Sequence, residues 1–551
     1  MTRAACWILT CSLLLATTSG AESPNVVLIV AEDLSARIGA FGDTVALTPN
    51  IDRLADEGVR YPNAFTTAGV CAPSRAALIT GLHQISIGAQ HMRASSRPDG
   101  AYLTVPPPHV KAFPERLRAV GYYTLVNHKL DYQFSGPLSG GPFTIWDAQG
   151  NDATWADRPE GAPFFAMFNL METHESGLFP PLGTWPSSGM HLVMQLARAW
   201  QFGLADGELL TPPDSLVLPP YYPDTPTVRR DLAQHYDNIA TMDTHVGSIL
   251  DRLRLDGLLE STIVVWTTDH GDGLPRAKRE VYDSGIRVPM IIRWPADLRP
   301  DGAEPGTFDA RLVSFVDLAP TILDWAGAPV PETLHGRSLA DLDAPPRRYV
   351  YASRDRIDEI PDRQRAVRDT RFKYIRSWHP EQVGGHALAF RDNIAMMQEL
   401  HALRASGELD EAQSRWFEPP GSERLFDLEN DPHELHDVLH DPTYRADAER
   451  MRATLAAWLE RVEDWSELPE DEMVARFWPN GAQPVTAAPQ FKTSDMTVRI
   501  TSPTDGASIG YRVGAGTWRL YTGPVPKPED ARIDAKAIRY GWEESSVSSY
   551  R

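Results

Sequence analysis

The sequence predicts an α/β protein with a mainly parallel sheet, and three observations carry that expectation. Short β-rich runs alternate with segments of helical period along much of the chain. Carboxylate, imidazole and ammonium side chains follow several of those runs directly, as they do where a site is built beyond the carboxyl ends of parallel strands. The chain has 551 residues, 42% of them hydrophobic and 23% charged, with Gly 39 and Pro 46, which is enough for a large core and excludes disordered and collagen-like classes. One large domain with one or two smaller ones is expected, because single cores stop growing near roughly 250–300 residues. Lys+Arg 53 against Asp+Glu 74 leaves a net charge of −21. That balance argues against a nucleic-acid partner, so an anionic substrate has to be caught in a local basic pocket.

The elements follow in order. Arg3, the apolar run from Ala4 to Ala16 broken only by Thr10, Cys11 and Ser12, and the small residues Ser19-Gly20-Ala21 read as a secretory signal over residues 1–21. The mature chain is therefore expected in the periplasm or outside the cell. A membrane anchor is the competing reading, but the run is short for a span, no lipid-attachment Cys follows, and no later stretch is apolar enough to cross a bilayer. Cys6 and Cys11 leave with the signal, so the mature chain keeps Cys71 alone and forms no internal disulfide. Asn25 to Ala31, Tyr122 to Val126, Phe164 to Leu170 and Thr262 to Thr268 read as strands. Ile51 to Glu57, Cys71 to Leu82, Val110 to Val120 and Thr227 to Leu255 read as helices. Further on, Tyr349 to Tyr351, Ala366 to Arg368 and Phe372 to Ile375 read as short strands, and Arg445 to Glu460 as an amphipathic helix. Beyond about Pro479 the composition turns to Thr, Ser, Gly and β-formers, with runs at Met496 to Ile500, Ser508 to Tyr511, Thr517 to Tyr521 and Ile538 to Trp542 that read as a small β-sandwich. Its Trp518, Tyr521 and Trp542 suit either sugar stacking or the core of so small a domain.

The chemistry sits at the strand ends. Asn25 to Ala31 runs into Glu32-Asp33, and Thr262 to Thr268 runs into Asp269-His270. Tyr122 to Val126 is followed by His128, Lys129 and Asp131, and Phe164 to Leu170 by Glu172 and His174. Each alone also reads as a solvated strand end, but together they place carboxylates, imidazoles and ammonium groups on one rim. Two carboxylates in tandem plus a third beside an imidazole describe a site for one divalent cation. Oxygen ligands favour calcium or magnesium, and His270 leaves manganese open. A structural ion pair with a nearby Arg is the alternative.

The stretch Cys71-Ala-Pro-Ser-Arg-Ala-Ala-Leu-Ile-Thr-Gly81 resembles the signature of the type I sulfatases, Cys-x-Pro-Ser-Arg followed after a short helix by Thr-Gly. The resemblance covers most of residues 24 to 465, including Thr48 to Ala55, Gly285 to Pro289 and Val313 to Thr321. It implies the alkaline-phosphatase-like sulfatase architecture: a catalytic α/β domain over 22–345, a smaller antiparallel α+β subdomain over 346–478, and then the β-sandwich over 479–551, which weakly resembles the C-terminal domain of chitobiases and hexosaminidases. It also implies that a formylglycine-generating enzyme oxidises Cys71 to formylglycine, whose hydrate is the nucleophile. A helix N-terminus suits that role, since free N–H groups and the dipole favour an oxyanion there. By position Glu32, Asp33, Asp269, His270 and matured Cys71 resemble the ligands of a divalent cation, calcium in the family. Arg75, Lys129, His174 and Lys278 resemble the groups that hold the sulfate and the nucleophile.

Three departures from the family pattern stand out. Glu32 replaces an Asp, His270 replaces an Asn, and Asp131 replaces the His that usually follows the pocket Lys by two and serves as a base. Asp131, His128 or water then takes that proton. Leu218 to Pro226, the helix through Tyr236 to Leu250, and Pro320 to Trp325 are similar to sulfamidase, the heparan N-sulfatase. The implied function is hydrolysis of an N- or O-sulfate from a sulfated sugar. Arg276, Arg356 and Asp358 are placed as sugar contacts in loops near the rim, a surface salt bridge being as good a reading for each. Two other functions stay open: a phosphate or phosphonate ester hydrolase on the same fold, and a non-catalytic glycan-binding relative.

Overall fold

A computed structural model describes residues 23–97, 99–137, 140–198 and 208–551. The expected signal segment, with Cys6 and Cys11, lies outside the described residues. Eight strands form the main sheet: β1 Asn25–Ala31, β2 Val59–Phe65, β3 Tyr123–Val126, β4 Ala148–Gln149, β5 Phe164–Leu170, β6 Thr262–Thr268, β7 Arg287–Arg293 and β8 Val313–Ser314. They lie in the order β4-β3-β5-β1-β6-β7-β2-β8, and β7 alone runs against the others.

The alternation of side chains explains why this sheet is central. In β1, Val27, Ile29 and Ala31 join the core on one face while Val26, Leu28 and Val30 join the core on the other. In β6, Val264 and Trp266 face the first core and Ile263 and Val265 the second. A strand apolar on both faces must be covered twice, and helices do so. Helices α1 Pro49–Asp56 and α4 Pro226–Leu255 close the first face with Ile51, Leu54, Val228, Leu232, Ile239 and Val246. Helices α2 Cys71–Thr80, α3 Phe113–Ala119 and α5 Leu318–Trp325 close the second with Leu78, Ile79, Phe113, Leu117, Leu318 and Ile322. Local signals set the helix ends. Thr225 caps α4 by accepting from the Val228 N–H at 3.2 Å, and α2 stops where Gly81 takes φ +71°.

The expected second unit is an antiparallel sheet in the order β12-β11-β10-β9, from β9 Val350–Arg354, β10 Gln364–Arg368, β11 Phe372–Ser377 and β12 Glu423–Asp427. Helix α6 Arg445–Arg461 packs Ala448, Met451, Leu455 and Trp458 against Val367, Phe372 and Tyr374 of that sheet. At the C-terminus β13 Gln490–Thr493, β14 Thr497–Thr501 and β17 Val525–Pro526 form one sheet. The other is formed by β15 Ser508–Val513, β16 Arg519–Leu520, β18 Ile533–Ile538 and β19 Ser548–Tyr550. Val498, Ile500, Ile509, Val525 and Ile533 fill the space between them. This pair of sheets is tied to the large domain. Tyr540 is buried in the second main core, stacks on Phe134 at 4.9 Å, and donates its hydroxyl to Glu115 at 2.8 Å. Trp518, Tyr521 and Trp542 are half-buried; Trp518 meets Phe143 across the junction at 6.4 Å. Among the described residues no helix is long and apolar enough to cross a membrane.

Candidate active site

The strand order decides which side chains meet. β1 and β6 are neighbours in register from Asn25↔Thr262 to Ala31↔Thr268, so Glu32-Asp33 and Asp269-His270 leave the sheet side by side. The Asp33 N–H donates to Asp269 Oδ1 at 3.0 Å and fixes the pair. β5 flanks β1 on the other side and delivers His174 and Glu175, and β3 beyond it delivers Lys129 and Asp131. Several of these loops are strained. Asp33, Lys129 and Asp131 take φ of 48°, 68° and 55°, a region that costs a non-glycine residue of order 1 kcal/mol and persists only where neighbours hold it.

Cys71 opens α2 as its first residue, fully buried, with the preceding Val70 offering no side-chain cap. Its Sγ lies 3.3 Å from His270 Nε2 and 3.9 Å from Asp33 Oδ1. Arg75 is one helical turn on, on the same face. Its guanidinium reaches Glu32, Asp269 Oδ2 at 3.3 Å and Asn169 Oδ1 at 2.7 Å.

Asp33, Cys71, Asp269 and His270 each present a ligand-type atom within 4.8 Å of the others, and Glu32 falls in a second such set with Asp33, Cys71 and His174. Glu32 is drawn to the ammonium side of the site, with Oε2 2.9 Å from Lys129 Nζ. Two carboxylates and an imidazole suit a divalent cation. Burial and the charge of Glu32 push Asp269 up to about 6, the mark of carboxylates crowded together in a dry place. Burial opposes a charged His270, yet Asp269 and Asp33 raise its pKa well above the usual imidazole range. His270 Nδ1 is 3.0 Å from the Gly271 carbonyl, which leaves Nε2 turned to the carboxylates. Both observations mark a place that calls for positive charge.

Opposite lies an ammonium cluster. Lys278 Nζ donates to Asp33 Oδ2 at 2.6 Å and lies 2.9 Å from Glu175 Oε1 and 3.2 Å from His174 Nε2. Burial disfavours the Lys278 charge, but Asp33 and its neighbours raise its pKa above the ordinary value. His174 is pushed down to about 3 by burial and by the Lys278 charge, so it is neutral at pH 7 in this arrangement. Its Nδ1 is 2.8 Å from the Ser176 hydroxyl.

Cys71, Arg75, Lys129, Asp131, His174, Lys278, Glu32, Asp33, Asp269 and His270 thus converge. Arg276 and Arg356 have other tasks. Arg276 is buried between the rings of Tyr221 and Tyr282, 4.3 and 4.5 Å from their centroids, and donates to the carbonyls of His433 and Glu434. Arg356 forks onto Glu470 at 2.7 and 2.9 Å and braces the Asp358 carbonyl. Asp358 is half-buried near Arg93 and Arg279. His128 bonds Asn151 at 2.8 Å and stands apart from the cluster. Sequence reasoning missed Arg93, which grips Asp131, and Glu175, which takes a bidentate Arg279 at 2.7 and 2.8 Å as well as Lys278. Glu175 beside His174 was adjacent to a residue singled out; Arg93 carried no signal.

Residues 24–160 and 151–328 match the family described as Sulfatase, and residues 276–384 match N-sulphoglucosamine sulphohydrolase, C-terminal. An ulvan-active sulfatase of Formosa agariphila is 41% identical, covering 96% of this chain and 91% of its own. Human N-sulphoglucosamine sulphohydrolase is 26% identical over 83% of this chain and 94% of its own. Among solved structures, BT4656 in complex with its substrate D-glucosamine-2-N,6-O-disulfate has a TM-score of 0.55 at 18% identity, covering 80% of this chain and 99% of that one. The phosphonate monoester hydrolase of Agrobacterium radiobacter has a TM-score of 0.53 at 20% identity, covering 80% and 97%. At these identities the two structures bear on the fold alone.

Proposed function

Since the chain belongs to the sulfatase family, near its sulfamidase branch, we propose that it hydrolyses sulfate from a sulfated sugar, as an N-sulfate or a sugar O-sulfate, after export and after conversion of Cys71 to formylglycine by a maturation enzyme. The observation that carries this reading is the position of Cys71: first residue of a buried helix, between a carboxylate–imidazole set and a pair of lysines. Relatives named for ulvan and for N-sulphoglucosamine support a sugar. The residue ranges 22–345, 346–478 and 479–551 are proposed as its three domains, the last bolted to the first through Glu115 and Tyr540.

Asp33, Asp269 and His270, with Glu32 beside them, would hold a divalent cation, proposed as calcium, which when bound draws negative charge off the sulfate oxygens. At residue 71 one hydroxyl of the hydrated aldehyde joins sulfur and gives up its proton to water as the bond to the sugar oxygen or nitrogen breaks and the leaving group takes a proton; loss of the second hydroxyl's proton to water then expels sulfate and restores the aldehyde, and water rehydrates it. Lys129 and Lys278 steady the sulfate charge. His174 and Lys278 form the proton-delivering pair for the leaving group. Neutral His174 accepts from the Lys278 ammonium through Nε2 at 3.2 Å, so the pair presents the leaving group with a charged donor that the imidazole holds in place. An amine leaving group needs this proton even more than a sugar alkoxide does, because the anion of an amine is the stronger base.

The test is sulfate release from glucosamine N-sulfate, glucosamine 6-sulfate and the matching phosphate ester, with wild-type protein matured at Cys71 and with His174→Ala. Release from a sulfated sugar, lost with His174→Ala, is expected. Turnover of the phosphate ester in preference to both sulfates contradicts the reading.

A further inference from the structure

Asp131 occupies the place of a base, but its geometry is that of a clamp. Arg93 Nε donates to Asp131 Oδ1 at 2.6 Å while Nη2 engages Oδ2, so both carboxylate oxygens are taken by one fork. Lys129 Nζ stands 3.9 Å from Oδ2 on the inner side. Burial favours the neutral acid, yet Arg93 holds the Asp131 carboxyl below its ordinary range. The triplet Lys129, Asp131, Arg93 runs outward from the reaction centre. The Lys129 and Asp131 side chains are 4% and 2% exposed, whereas Arg93 is 22% exposed. Nη1 of Arg93 has no hydrogen-bond partner among the described residues, and neither has the Asp358 carboxylate. The two are brought together by the backbone: Met92 bridges to Ile357, and the Asp358 N–H donates to the Met92 carbonyl at 2.6 Å. Asp358 holds φ 47° there, with its carbonyl fixed by Arg356 at 2.7 Å.

The geometry points to Arg93 and Asp358 as a donor and acceptor pair that binds adjacent hydroxyls of the sugar carrying the scissile sulfate, with Asp131 as the positioning residue for Arg93. The chemistry selects the ligand. A free N–H and a free carboxylate on two backbone-paired segments, each within the other's electrostatic reach, match neighbouring hydroxyls, each of which both gives and takes a hydrogen bond. A second acidic substituent would meet Asp358 as well as Arg93, and would gain little. The inference rests on the sulfated-sugar reading above and adds the residues that recognise the ring.

The experiment compares Arg93→Ala, Arg93→Lys, Asp358→Asn and Asp131→Asn with wild type on glucosamine 6-sulfate, glucosamine-2-N,6-O-disulfate and 4-nitrophenyl sulfate, which carries no hydroxyl. Hydrogen bonds to charged groups are worth about 1.5–3 kcal/mol, so Arg93→Ala and Asp358→Asn should lower kcat/KM for the sugars about 10- to 100-fold more than for the aryl ester, chiefly through KM. Arg93→Lys should not restore the difference, because an ammonium cannot grip Asp131 and the sugar together. Asp131→Asn should show the same KM effect without a pre-steady-state burst. Equal losses on sugar and aryl ester, or a loss confined to the disulfate, overturn the inference while leaving the sugar reading intact. A burst with Asp131→Asn overturns the clamp and restores the base. Wild-type turnover of the aryl ester with neither sugar hydrolysed contradicts the sugar reading, and this inference with it.

Discussion

Removing the Arg75 guanidinium tests whether the site is held by charge pairing in a dry interior. Arg75 is fully buried and serves three acceptors at once: Glu32, Asp269 and Asn169. Arg75→Met keeps much of the volume. It leaves Glu32 with Lys129 alone, Asp269 with one cation fewer, and the Asn169 amide oxygen without this donor. Breaking a buried pair by removing one partner costs about 3–5 kcal/mol, and the orphaned amide oxygen falls within that sum at about 1–3 kcal/mol. Against a total stability of about 5–15 kcal/mol the change is large. Urea unfolding followed by tryptophan fluorescence should show it as an earlier midpoint, and Arg75→Lys should lie between, since an ammonium cannot reach three acceptors in a plane. Arg75→Met within 1 kcal/mol of wild type would refute the reasoning, because the pairs would then contribute nothing beyond packing.

Exhaustive chelation should abolish turnover and lower the melting temperature. Adding back a dication at about a hundred times its Kd should return about 2.7 kcal/mol, and undiminished activity after chelation would remove the metal from the account. Asp231, largely buried under the Met396 N–H, is raised by burial to about 6 from an ordinary carboxylate value of 3.8. A pKa raised on folding contributes stability below the unfolded value that is lost as pH rises through the folded one. Asp231→Asn should therefore stabilise the protein by about 1–3 kcal/mol at pH 7 and by almost nothing at pH 4, as calorimetry at the two pH values would show. A Cβ on Gly271 would stand 1.9 Å from the Ser284 carbonyl oxygen, so Gly271→Ala should shift His270 and cut kcat by 10-fold or more; the control Gly523→Ala, with nothing within 4 Å, should match wild type.

Much of this arrangement was legible because parallel strands put their ligands at one edge. Glu32-Asp33 and Asp269-His270 could be read as one site before their strands were known to be neighbours. Strands β2 and β7 were not among the strands expected; each carries a proline, Pro62 and Pro289, which interrupts the strand pattern, and the two fall where the register of the pair shifts between Tyr61 and Ala64. Arg93 escaped for a different reason. It meets Asp131 from 38 positions away across two loops, and no periodicity links loop residues. Arg276 was expected at a sugar because it is basic and near the rim, but two tyrosine rings and two carbonyls claim it first. Loop side chains are assigned by the fold, whereas strand-end side chains are assigned by the strand.

The central claim is that residue 71 is the nucleophile in its oxidised form. Mass spectrometry of the Cys71 peptide, run on the same preparations that are assayed for sulfate release, tests it most directly. Co-expression with a maturation enzyme should yield a peptide in which sulfur and two hydrogens have given way to one oxygen, and sulfate release should rise in proportion to the aldehyde fraction and vanish in Cys71→Ala. Full activity from protein whose Cys71 is an unmodified thiol, or from Cys71→Ala, would contradict the account.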